Sequence, residues 1–159
     1  MPLELKAMIE TKNILLEAVS QALKTMAFLD VLPADENTDE LIMPQTLVVS
    51  AINFSGPKKG NLQLLTGTDF GKLLVENIAA IDQANEKQAL DAVKELSNVI
   101  CGLLLPEISE NSSDVFDVTV PTVKTGSDSP EWSGFLQDKD SLLLNAEGYA
   151  IVVKLRMEE

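Results

Sequence analysis

The segment spanning residues 86–105 constrains this chain more than any other. On a wheel turning about 100° per residue, Ala89, Val93, Leu96, Ile100 and Leu103 fall together, flanked by Ala92 and Val99 on one side and Leu90 and Cys101 on the other. That apolar arc covers roughly half the circumference, which predicts a well-buried helix, with Pro106 expected to stop it. Asp91, Glu95, Asn98 and Gly102 share the narrow strip that remains. Glu95 and Asn98 stand at i and i+3, so their side chains are neighbours. Gly102 lies one turn beyond Asn98 and costs about 1 kcal/mol of helix stability relative to alanine. On an exposed strip, a glycine lets another molecule's backbone come close. A Glu-x-x-Asn spacing alone proves little, because any amphipathic helix has a wet face that can carry one.

The rest of the chain reads as a mixture of helix and strand. Apolar residues recur at helical spacing over residues 5–29, at Leu5, Met8, Ile9, Leu16, Val19, Leu23 and Met26, with no Gly or Pro among them. Residues 33–40 form a polar loop. Residues 41–54 look extended around Leu47-Val48-Val49, with Pro44 marking an edge or an irregular start. The turn-rich Ser55-Gly56-Pro57-Lys58-Lys59-Gly60 leads to a second strand over residues 61–65, which predicts a hairpin. Thr68 can cap a helix reaching about Ala80. Strands are then expected at 115–120, 132–136, 142–144 and 149–155; in the last, Tyr149, Ile151, Val153 and Leu155 mark one pleated face. This order is neither a regular βαβ array nor all-β. It predicts one α+β domain over residues 1–159, with long helices packed on a mainly antiparallel sheet.

Composition narrows the chemistry. The chain of 159 residues has no histidine, which removes the commonest general base and metal ligand. Catalysis would have to rest on carboxylates, amides, hydroxyls, the single thiol, or groups a substrate brings. Twelve Lys and Arg against 25 Asp and Glu give a formal charge of −13, and aromatic residues are 4% of the chain, so nucleic acid and anionic membranes are poor partners. No apolar run approaches the ~20 residues of a membrane span. The N-terminus has no basic region followed by an apolar stretch, and one cysteine cannot form an internal disulfide; a cytoplasmic protein is expected.

The residues from Asp91 to Gly102, with Glu95-Leu-Ser-Asn98 at their centre, resemble the signature of the CheC/CheX/FliY phosphatase family, in which Glu-x-x-Asn is followed by Gly four residues on. Phe116 to Gly126, with Pro121 inside, resembles the family's strand-Pro-turn-Gly segment. Asn53-Phe-Ser-Gly56 with Gly60-Asn-Leu-Gln-Leu is similar to its central hairpin. The N-terminal helix is similar too, and one strong copy of the motif suggests the CheX branch. The resemblance implies a phosphatase that hydrolyses the aspartyl-phosphate of a CheY-like response regulator in chemotaxis. Asn98 would orient the attacking water and Glu95 would pair with the receiver's lysine, with Asp91 and Gly102 facing the partner. The protein would need no cofactor or metal of its own, because the receiver brings Mg2+. It further implies a homodimer. A non-catalytic module that binds receivers or other flagellar components is the alternative left open.

Other candidate sites are weaker. Glu10 and Asn13 repeat the Glu-x-x-Asn spacing, but Glu17 stands where the motif has Gly. Gly56 to Gly60 lacks the Gly-Lys-Ser/Thr ending and the helix of a phosphate-binding loop, and reads as a hairpin turn. Asp35 to Asp39 imitates the start of a calcium loop, yet Glu40 and Thr46 occupy positions that need Gly and Glu. Cys101, Trp132 and Tyr149 are expected to be packing residues.

Overall fold

The computed structural model describes residues 2–35, 40–126 and 129–158, the side chains of residues 129–131 excepted. In chain order the elements are α1 (Leu3–Ala27), β1 (Val31–Pro33), β2 (Leu47–Ser55), β3 (Lys59–Gly67), α2 (Thr68–Ala79), α3 (Glu86–Ile108), β4 (Asp117–Val118), β5 (Thr122–Gly126), α4 (Ser129–Gln137), β6 (Ser141–Ala146) and β7 (Tyr149–Glu158). The fold is α+β. All ladders between the named strands are antiparallel, in the order β1-β6-β7-β3-β2-β4, with β5 also on β2. β4 and β5 share one edge of β2, so the pair acts as a single edge strand interrupted at residues 119–121.

The strand period of two explains how one sheet serves two cores. Val48, Ile52, Leu62, Leu64, Ile151, Val153 and Leu155 join the main core beneath α1, α2 and α3. Their neighbours Leu47, Val49, Leu65, Ala150 and Val152 point the other way, into a smaller core closed by α4 through Trp132, Phe135 and Leu136. The sheet is therefore covered on both faces over its centre.

Several expectations need correction. Residues 132–136 are helix, within α4, where strand is expected. Trp132, Phe135 and Leu136 sit at i, i+3 and i+4, which places all three on one helical face toward the sheet; their strand-favouring residue types mislead. Pro106 does not end α3, which runs on to Ile108. Proline withholds one N–H from the carbonyl four residues back; that residue is Gly102, exposed to solvent, so water can satisfy the freed oxygen. Thr68 is the first helical residue of α2 rather than its cap, and Gly67 takes the cap position without a side-chain bond. The strand expected at 115–120 shrinks to Asp117–Val118; Phe116 turns inward to meet Phe54 edge-on, 6.0 Å between centroids. Beyond Pro121 the chain forms strand β5 instead of a turn. Pro33, expected in a loop, ends the short edge strand β1, where a missing N–H is tolerated. Leu41 to Thr46 is irregular apart from a bridge between Ile42 and Tyr149, so Pro44 does mark an irregular start. Positions 36–39 of the polar loop lie outside the described residues, as does most of the calcium-like stretch.

Asp138, just past α4, ties that helix to β7. Its carboxylate takes the Asp140 N–H at 2.9 Å, Lys154 Nζ at 3.1 Å and Arg156 Nη2 at 2.7 Å. The Asp140 backbone N–H, then Lys154 and Arg156, hold its carboxyl below the usual aspartate range, against the opposing effect of burial. A depressed carboxyl pKa stabilises the fold above the unfolded-state value, and that contribution is lost as pH falls through the folded-state value. Asp138→Asn should therefore lower the urea midpoint at pH 7, by roughly 1 kcal/mol of stability. Titration toward pH 3 should narrow the gap between variant and parent.

Candidate functional site

The candidate site is built on α3, whose start is fixed locally. Asn85 Oδ1 accepts the Gln88 N–H at 2.8 Å, and Gln88 Oε1 accepts the Asn85 N–H at 2.9 Å. This reciprocal capping box satisfies two N–H groups that a helix start otherwise leaves unpaired. Its signal in the sequence is Asn85-x-x-Gln88 ahead of an apolar run. Ala89, Ala92, Val93, Leu96, Ser97, Ile100, Cys101 and Leu104 are buried along one side of the helix. Neighbouring α2 comes close because Gly71 has no side chain: a Cβ there would lie 2.8 Å from the Ala89 carbonyl oxygen. α3 thus rests on β2, β3 and β5 and is flanked by α1 and α2.

Asp91, Glu95, Asn98 and Gly102 all lie on the exposed side. Among the described residues, the side chains of Glu95 and Asn98 have no hydrogen-bond or ion-pair partner. Both are held by a helix whose opposite side is sealed at Val93, Leu96, Ser97 and Ile100. A Cβ on Gly102 would meet nothing within 4 Å, so the glycine fills no internal need of this chain. It leaves open approach to the backbone beside a groove of about 530 Å³ that also includes Pro106, Asp114 and Phe116. A carboxylate and a carboxamide held one turn apart can accept from a cation and orient a water molecule. Neither requires a covalent intermediate.

The second Glu-x-x-Asn is placed differently. Glu10 and Asn13 are exposed on α1, but the first buried residue of that helix is Leu15. The turns carrying this pair lack the sealed back that α3 has at Glu95 and Asn98, and Leu5 and Ile9 remain 40% and 42% exposed. Residues 56–58 simply join β2 to β3 as the hairpin turn. Trp132 packs in the smaller core, and Tyr149 packs at the main core against Phe70, 5.7 Å between ring centroids. Among the described residues, no group of three or more Cys, Asp or Glu side chains is arranged to hold a metal ion. No helix among them is long and apolar enough to cross a membrane.

An α+β domain with three long helices on one face of an antiparallel sheet, and a Glu-x-x-Asn-x-x-x-Gly strip on the third, defines the class. The family model described as chemotaxis phosphatase CheX matches residues 48–132, just over half of the chain, and the protein belongs to this family. Solved structures share the fold at low identity. CheX from Vibrio vulnificus superposes with a TM-score of 0.70 at 19% identity, covering 94% of this chain and 97% of that one. CheX from Desulfovibrio desulfuricans gives 0.67 at 19% identity, covering 94% and 99%. A CheX-CheY-BeF3-Mg2+ complex from Borrelia burgdorferi gives 0.65 at 14% identity, covering 92% and 97%. A search of curated proteins finds no match.

Cys101 is buried on the inner side of α3, and burial pushes its thiol up to about 11. The thiolate is the reactive form, so the native protein should react with iodoacetamide far more slowly than the urea-unfolded chain. From a low level its rate should still climb about tenfold per pH unit through pH 9, without the levelling that an ordinary cysteine shows above its pKa of about 8.5. Fast native labelling that follows an ordinary thiol titration would contradict this placement.

Proposed function

We propose that this protein hydrolyses the aspartyl-phosphate of a CheY-like receiver domain, with Asn98 and Glu95 as the working residues. The observation that carries the reading is the pairing of these two unpartnered side chains on the exposed strip of a helix buried behind them. Membership of the chemotaxis phosphatase CheX family supports it, as does the existence of a CheX-CheY complex for the Borrelia relative. An acyl phosphate is already activated, and the receiver supplies Mg2+ and a lysine. The protein then has only to place a water in line with phosphorus. The Asn98 carboxamide holds that water through one acceptor and one donor. The Glu95 carboxylate pairs with the receiver's lysine and sets the register of the two molecules. Gly102 lets the receiver's backbone approach the helix, and Asp91 extends the acidic strip toward it. Positioning and electrostatics supply the rate, so a chain without histidine is chemically sufficient.

Asn98→Ala should reduce accelerated phosphoryl loss from a phosphorylated receiver by about 10²-fold while leaving the thermal midpoint within a degree or two. Glu95→Ala should weaken receiver binding as well as rate. The assay is phosphoryl release from a panel of phosphorylated receivers of the same organism, with and without the protein. Turnover by Asn98→Ala equal to the parent would remove that residue from the mechanism. Stable binding with no change in phosphoryl lifetime would make the protein a receiver-binding module instead.

The reading includes a homodimer formed at a sheet edge, in the cytoplasm where the receiver resides. The β4–β5 edge supports it, because Val118 and Val120 are 44% and 81% exposed along strands that pair with β2 on one side and with no described strand on the other, and such an edge is adhesive. Sedimentation equilibrium should give a dimer for the parent and a shift toward monomer for Val120→Asp. A parent that sediments as a monomer would overturn the dimer.

A further inference from the structure

Two buried hydroxyls sit directly behind the proposed site. Ser97 Oγ donates to Ser50 Oγ at 2.9 Å, and the two residues are 1% and 0% exposed. Ser97 is the residue immediately before Asn98 and two after Glu95. Ser50 lies in mid-strand on β2, paired with Leu64 of β3 and Val123 of β5. This side-chain hydrogen bond joins α3 directly to the sheet. Stability alone does not explain it, because two apolar groups of the same shape would do nearly as well there.

The geometry points to Ser97 and Ser50 as positioning residues that set the rotation of α3 about its own axis at the level of Asn98. This rests on the role given above to Asn98 and Glu95. The apolar contacts of Val93, Leu96 and Ile100 hold the helix against its neighbours but have no preferred direction. A directional contact adds to the resistance that their packing offers against rolling. A hydrogen bond is directional, and this one lies about 100° around the helix from Asn98 and about 200° from Glu95. Side-chain tips lie about 5–6 Å from a helix axis, so a roll of about 10° would carry the Asn98 amide roughly 1 Å sideways. A misplacement of that size can reduce a positioned reaction by about 10²-fold. The serine pair is thus a pin close to the point where the tolerance is smallest.

The test compares Ser97→Ala, Ser50→Ala and the double variant with the parent, using the full chain and a phosphorylated receiver as substrate. Each single variant should lower kcat about tenfold with KM little changed, and the double variant should be no worse than either single one, since all three lose the same bond. A purely structural role would lower the thermal midpoint and leave kcat alone, which would overturn the inference. A second readout needs no activity. In 1H–15N spectra of the free protein, the Asn98 side-chain amide should shift or broaden in both single variants and alike in the double variant. An Asn98 side-chain amide unmoved by Ser50→Ala, a substitution remote from it in sequence, would overturn the pin even for an active enzyme. Inactivity of the parent toward every receiver would count against the proposed function alone, and the Asn98 spectra would still decide the pin.

Discussion

Burial of one side of α3 is the constraint on which the rest depends. Val93, Leu96, Ile100 and Leu104 are fully enclosed by the sheet and the two neighbouring helices, and each such side chain stabilises the fold by about 1.5–3 kcal/mol. Nothing on the opposite strip contributes comparably. The strip carrying Asp91, Glu95, Asn98 and Gly102 is therefore free to be chosen for a partner, while the sealed side holds it still. The capping box at Asn85, the close approach at Gly71 and the Ser97–Ser50 bond all act on this same helix. They fix its start, its flank and its rotation.

The sheet is the other half of that support. β2 and β3 pair over eight residues, from Leu47 with Gly67 to Phe54 with Gly60, and α3 lies across them. Because both faces of the sheet are covered, with α4 closing the second, the platform under α3 has little room to flex. Asp138 secures α4 through Lys154 and Arg156 on β7. A thin, one-faced sheet would transmit every disturbance to the helix above it.

Much of this was legible in the sequence, for physical reasons. A period of 3.6 sustained over some twenty residues is a strong signal, so α3 and its two faces could be read directly, as could α1 and the β2–β3 hairpin. The exposure of Glu95 and Asn98 follows from the same wheel. The chemical role proposed for them does not follow from spacing, and rests on the family resemblance. α4 is not legible locally, because a nine-residue segment with Trp132 and Phe135 in it looks like strand when read alone; only the second face of the sheet makes Trp132, Phe135 and Leu136 one surface. The alternation in β7 revealed one buried face, while Ala150 and Val152 on the other needed α4 to bury them. Pro106 misled because the rule against proline in helices concerns the lost bond, and the Gly102 carbonyl loses it in solvent. Ser50 and Ser97 are 47 positions apart, and no local pattern could have joined them.

All of the proposed chemistry requires that a receiver's phosphorylated pocket dock on the exposed strip of α3. A crystal structure of this protein with a beryllofluoride-activated receiver tests it most directly. The Asn98 carboxamide should lie within about 3 Å of the in-line water position, with the Glu95 carboxylate on the receiver's lysine. A receiver seated on α1 at Glu10 and Asn13, or on the sheet edge, with Asn98 left facing bulk water, would contradict it.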